Sequence, residues 1–129
     1  MSGTGYQTLL DCRRRNRYLR QHGFTTQQIA LILALDHPAT PLRLHRYAAG
    51  LTAAQTVEAF HLLDGTAGAG LREARLYDYE TWPQAGRRPS AATLRLLARI
   101  YHTQPIHLIT SEALASYPAR DQRDLRDEG

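Results

Sequence analysis

Apolar residues in this chain recur at intervals of three and four, and they do not alternate. Ile29, Ile32, Leu33 and Leu35 follow that spacing, as do Val57, Phe60 and Leu63, and then Leu94, Leu97, Ala98 and Tyr101. This is the period of one helical face, not of a pleated strand. The sequence holds a single valine, and no run rich in β-branched residues reads as a strand. The fold class is therefore all-α. With 129 residues, the chain supports one compact unit with a core and short tails, not two full domains. A helical bundle of about six helices is expected.

Punctuation residues divide that pattern. Tyr6 to His22 reads as a first helix, with Tyr6, Leu9, Leu10, Tyr18 and Leu19 available for packing and Gly23 as its stop, while residues 1 to 4 fray. Gly23-Phe24-Thr25 opens a second helix, and Gln28, three residues after Thr25, completes a capping box. The same grammar returns at Gly50-Leu51-Thr52 with Gln55. It marks either a duplicated unit or, more simply, the ordinary way to end one helix and begin another. Asp36 to Thr40 form a turn, and Pro41 takes the first position of a helix that runs to Ala49. Ser90 caps a helix to Tyr101, and Thr103 to Pro105 begin a last short one with Ile106 and Ile109 inward. Beyond Tyr117-Pro118 the chain is polar and aperiodic, which reads as a disordered tail. Three parts follow: residues 1–40 as a helical extension packed on the core, 41–110 as the principal domain, and 111–129 as a polar C-terminal tail.

All sixteen basic residues are arginine, and the net charge is +4. Residues 1–110 hold thirteen arginines against seven acids, whereas 111–129 hold three against five, so the body is the basic part. A guanidinium fork grips phosphate or guanine with two hydrogen bonds, where a lysine acts as a point charge. Arg13, Arg14, Arg15, Arg17 and Arg20 cluster on the first helix, either as a phosphate-contacting surface or as a solvated face.

The stretch Leu71 to Ser90, LREARLYDYETWPQAGRRPS, combines these signals. Leu71, Leu76 and Tyr79 share one helical face, and Arg72, Glu73, Arg75 and Asp78 share the other. Pro83 ends the helix, and Arg87 and Arg88 follow in a Gly-Arg-Arg-Pro-Ser loop. With the helix pair before it, this segment resembles the helix-turn-helix transcriptional regulators of the phage Cro and repressor (XRE-like) type, and most closely their actinobacterial branch. The matching residues are Tyr77 to Glu80, Trp82, Pro83 and Gly86 to Ser90, followed by LLARIY at Leu96 to Tyr101. The resemblance spans roughly residues 41 to 109.

That resemblance implies a sequence-specific DNA-binding transcriptional regulator. Pro41 to Ala49 becomes its first helix, Thr52 to about Leu63 the positioning helix, and Leu71 to Thr81 the recognition helix in the major groove. Arg72, Glu73, Ala74 and Arg75 are then the base-facing residues. Arg87 and Arg88 are the phosphate contacts, joined by Tyr77 and by Thr52 and Gln55, although capping alone accounts for the last two. An ion pair between Arg46 and Glu80 is implied as the tie between the first and recognition helices. Residues 64–70, DGTAGAG, make a turn longer than the three or four residues of a minimal motif, and the link is expected to be mobile without DNA. A two-fold homodimer would serve two half-sites. The alternative is a helical protein-interaction module, an antitoxin or adaptor, because Glu73 and Asp78 place negative charge on the presumed DNA face.

Other chemistry finds little support. Six histidines include no pair at i, i+4 with a carboxylate partner, and the lone Cys12 has no thiol partner, so neither zinc nor a disulfide framework is expected. No nucleophile-base pair and no phosphate loop after a strand is legible. No catalytic residues, no cofactor and no enzyme activity are expected. No apolar run reaches the roughly 18 residues a membrane span needs, and a cytoplasmic location is expected.

Overall fold

The computed structural model describes residues 2–65 and 70–127, and every regular element among them is helical. The order is α1 (Ser2–Gln21), α2 (Thr26–Leu33), α3 (Pro41–Ala49), α4 (Ala53–Asp64), α5 (Glu73–Thr81), α6 (Ala91–Tyr101), a 3-10 turn at Pro105–Leu108, α7 (Ser111–Leu114) and α8 (Ala119–Asp127). That is eight α-helices where the periodicity predicts about six. The backbone of α1 is already helical from Ser2, four residues before the expected start. Among the described residues no helix is long and apolar enough to cross a membrane.

Packing converges on α3. Thr40 caps it by accepting from the Arg43 N–H, and Pro41 sits in the first turn, where its missing N–H leaves no bond unmade. Gly50, at φ 73°, closes it. The Gly50 N–H returns to the Tyr47 carbonyl at 2.9 Å and the Leu51 N–H to the Arg46 carbonyl at 3.2 Å, the paired bonds of a Schellman motif. Leu42, Leu44, His45, Arg46, Tyr47 and Ala48 are all buried. A helix buried on nearly every side needs neighbours on both flanks. Leu42 belongs to a core with Phe60, Leu71, Leu76, Leu94, Leu97 and Tyr101. Leu44, Tyr47 and Ala48 belong to a second core with Leu9, Cys12, Ile29, Ala30 and Leu33.

The face of α1 that meets α3 differs from the expected one. Leu9, Cys12 and Asn16 are buried, and the Asn16 amide donates to the Tyr47 carbonyl at 2.7 Å. Tyr6 and Tyr18 lie off that stripe and are 52% and 61% exposed. Leu35 also points outward, since α2 ends at Leu33, and Leu63 overhangs in the last turn of α4.

The C-terminal segment is not a tail. Residues 111–114 and 119–127 are helical, and Leu125 is fully buried in the larger core. Gln122 donates from its amide to the Tyr117 carbonyl at 2.8 Å, and Arg95 of α6 lies 3.9 Å from Asp124. One leucine and two polar ties dock α8, so no apolar period is needed.

Candidate nucleic-acid interface

α4 leads into α5 through a link whose residues 66–69, with most of the expected mobile turn, lie outside the described residues. Its two ends are defined. Gly65 closes α4 at φ 71°, and the His61 Nε2–H donates to the Leu71 carbonyl at 2.7 Å, so the last turn of α4 holds the chain two residues before α5.

α5 is two-sided. Leu71, Leu76 and Glu80 are buried, whereas Arg72, Glu73, Ala74 and Arg75 are exposed and Tyr77 is 44% exposed. Glu73 lies in the first turn, where the helix dipole favours negative charge, so it has a structural reason to be acidic. Arg75 Nε is 4.0 Å from Asp78 Oδ2, with both side chains more than two-fifths exposed, which makes the pair weak. Arg72, Arg75 and Asp78, with Thr93 at the start of α6, border an open cleft of about 560 Å³.

The other end of α5 is fixed from inside. The Glu80 side chain is fully buried, and Arg46 reaches it with two bonds, Nε to Oε2 at 2.6 Å and a terminal nitrogen to Oε1 at 3.1 Å. Arg43 adds a third, Nε to Oε1 at 3.2 Å, and the Thr40 hydroxyl donates to the Glu80 carbonyl at 2.6 Å. Burial alone would lower the Arg46 guanidinium, but the bonds and charge of Glu80 outweigh it and hold the group above its ordinary value. Arg46 also donates to the Leu51 carbonyl at 3.1 Å and lies near the rings of Tyr47 and Tyr77, at 5.2 and 6.0 Å. It thereby joins α3, the start of α4 and α5. Arg43 and Thr40 escape the sequence reading, although Arg43 stands three residues before Arg46 on the same face of α3, which is the signal for a shared partner.

After Pro83 the chain doubles back along α5. The Ala85 N–H donates to the Thr81 carbonyl at 3.1 Å and the Arg87 N–H to the Asp78 carbonyl at 3.2 Å. Gly86, at φ 74°, passes so close that a Cβ there would stand 2.1 Å from the Asp78 carbonyl oxygen, so only glycine fits. The Arg87 backbone is thus tied to the C-terminal half of α5 through the Asp78 carbonyl, and its exposed side chain meets no partner among the described residues. Arg88 differs. It donates to the Ser116 carbonyl and lies over the Tyr117 ring at 4.7 Å, while the Tyr117 hydroxyl donates to the Pro89 carbonyl at 2.6 Å. Arg88 is therefore tied to the segment after α7.

Thr52 and Gln55 form the expected capping box at the start of α4. The Gln55 side-chain oxygen also accepts from Arg13 at 3.3 Å, and Arg13 Nε donates to the Gly50 carbonyl at 2.9 Å. Two more arginines of α1 are engaged across elements: Arg20 with the Thr26 hydroxyl and the Ala48 carbonyl, and Arg15 with Asp36 at 2.7 Å. Arg14 meets only Asp11 on its own helix, at 3.5 Å, and Arg17 is exposed.

Cys12 Sγ lies 3.7 Å from His37 Nε2, yet burial pushes the thiol up, away from the thiolate a nucleophile needs. Among the described residues no group of three or more His, Cys, Asp or Glu side chains is arranged to hold a metal ion. Compared with protein-family models, curated proteins and solved structures, the chain matches none.

Proposed function

We propose that the chain is a sequence-specific DNA-binding transcriptional regulator of Cro/repressor-like helix-turn-helix type, with α3 as its first helix, α4 as positioning helix and α5 as recognition helix. The observation that carries this reading is the asymmetry of α5. Its C-terminal end is locked through Glu80 to Arg46 and Arg43, its N-terminal half turns Arg72, Ala74 and Arg75 outward, and the Arg87 backbone is tied to the Asp78 carbonyl with its side chain exposed. A helix that reads base edges needs such a rigid mount and such an open, donor-rich face. In this reading Arg72, Glu73, Ala74 and Arg75 face bases, and Arg87, Tyr77 and the α4 start at Thr52 and Gln55 face phosphates. Arg88 contributes by holding the loop. The regulator works in the cytoplasm, on the nucleoid, without cofactor or enzymatic step, and as a two-fold dimer spanning half-sites about 34–36 Å apart.

Gel shifts against genomic fragments at two salt concentrations test the reading. Fragment-selective retardation that weakens as salt rises is the expected result. Retardation of no fragment at either salt concentration rejects it. The protein-interaction reading then takes its place, favoured by the exposed Glu73 and half-exposed Asp78 on the same face.

A further inference from the structure

A cleft of about 760 Å³ lies on the other side of the Glu80 cluster, between the start of α3, the end of α5 and the segment from the 3-10 turn into α7. We propose that it binds a small aromatic monocarboxylic acid, with the carboxylate on Arg43 and the ring against Trp82 and Tyr79. Its size is that of a small-ligand pocket, and its walls have the usual make-up of one, mostly apolar with a few polar groups. Pro41, Tyr79, Trp82 and Ile109 supply flat or branched apolar surface.

The charge comes from an imbalance. Two guanidiniums meet one buried carboxylate, and Arg46 already takes both oxygens of Glu80, at 2.6 and 3.1 Å. Arg43 is left with a single bond through Nε at 3.2 Å, a side chain 31% exposed, and terminal nitrogens that meet no other acceptor among the described residues. The uncompensated positive charge therefore stands on Arg43, at the cleft wall. A carboxylate can accept both terminal N–H groups of a guanidinium in the planar fork. Glu112, exposed on the rim, is the one other acid that lines the cleft. Its charge disfavours a dianion such as a phosphate monoester and leaves the single carboxylate as the matching anion.

Trp82 is the sole tryptophan of the chain and lies on the wall, so its emission reports occupancy directly. The full chain, without DNA, is titrated with phenylacetate and with its neutral counterpart phenylacetamide. The acid should give a saturable change in Trp82 emission, and the amide should bind roughly tenfold more weakly for want of the charged pair. Arg43→Gln should erase the advantage of the acid. Because that change also removes one partner of Glu80, helicity is checked by circular dichroism. Ala85→Phe, at an exposed position of the cleft, leaves the ion cluster untouched and should block both compounds. Equal binding of acid and amide, no saturation, or undiminished binding of the acid in either variant overturns the site. No DNA is present, so failure here and failure of the regulatory reading are separate results.

Discussion

The arginines of α1 and those around α5 look alike as charge counts, and the structure uses them in opposite ways. Arg13, Arg15 and Arg20 each bridge to another element, where they satisfy carbonyls at the α3–α4 junction, cap-region oxygens or Asp36. Arg72, Arg75 and Arg87 stand outward, and among the described residues the only ion pair they make is the loose one from Arg75 to Asp78. Long guanidinium side chains can cover apolar surface and complete hydrogen bonds as readily as they can attract phosphate. A basic stretch becomes a candidate interface only after its internal obligations are subtracted. By that measure the α5 region is available and most of the α1 cluster is not.

The comparison breaks most readily at Glu80, where Arg46 is committed to the interior and Arg43 shares the same carboxylate. Glu80→Ala strands two guanidiniums, one of them buried, and should lower unfolding free energy by about 3–5 kcal/mol in a denaturant titration. A loss within the ordinary surface range would mean that water readily replaces the carboxylate. Arg75→Ala should do the reverse of Glu80→Ala. Thermal stability should barely move, while affinity for the selected DNA fragment falls by about 1–3 kcal/mol and affinity for scrambled DNA falls much less. Arg20→Ala is its counterpart on α1. It should destabilise the fold by about 1.5–3 kcal/mol through its lost bonds and leave the salt dependence of DNA binding unchanged. If it flattens that dependence instead, the division between the two clusters is wrong. Arg87→Ala should weaken selected and scrambled DNA alike and reduce the slope of log affinity against log salt by about 0.9.

A smaller effect comes from acid. Burial in α3 lowers the pKa of His45, against a partly opposing hydrogen bond to the Pro41 carbonyl, and nearby His107 lowers it further. The folded state then binds fewer protons than the unfolded one, so stability is fully present above the unfolded value, about 6.5, and is lost as pH falls below it. Melting temperature should be flat at neutral pH and decline progressively below about pH 6.5. His45→Leu should blunt the decline.

Much of this was legible in the residues. Both Thr-x-x-Gln capping boxes, the stop at Gly50, Pro41 in the first turn of α3 and the cap at Ser90 depend on local chemistry and can be read without the fold. The two faces of α5 follow from spacing, with Leu76 inward and Arg72, Glu73 and Arg75 outward, whereas an inward Glu80 is implied only by the resemblance. What escaped depends on partners distant in sequence. The helix at 119–127 forms because Leu125 finds a hole in the larger core, and a single leucine leaves no period to detect. Tyr6 and Tyr18 face solvent because α3 accepts a stripe that includes a cysteine and an asparagine, residue types that a hydrophobic count passes over. Arg88 gives no sign in sequence that Ser116 waits 28 residues downstream, with Tyr117 next to it.

The all-round burial of α3 has a consequence for how the molecule comes apart. Because Leu42 serves one core while Leu44, Tyr47 and Ala48 serve the other, neither core can open without stripping a wall from its neighbour. A fragment cut to begin at Pro41 would carry the whole candidate interface and still leave Leu44, Tyr47 and Ala48 facing water. Residues 41–110 are therefore expected to unfold together with the helices before them. Amide protons of α3 should exchange only with global unfolding, and heat should give one transition rather than two.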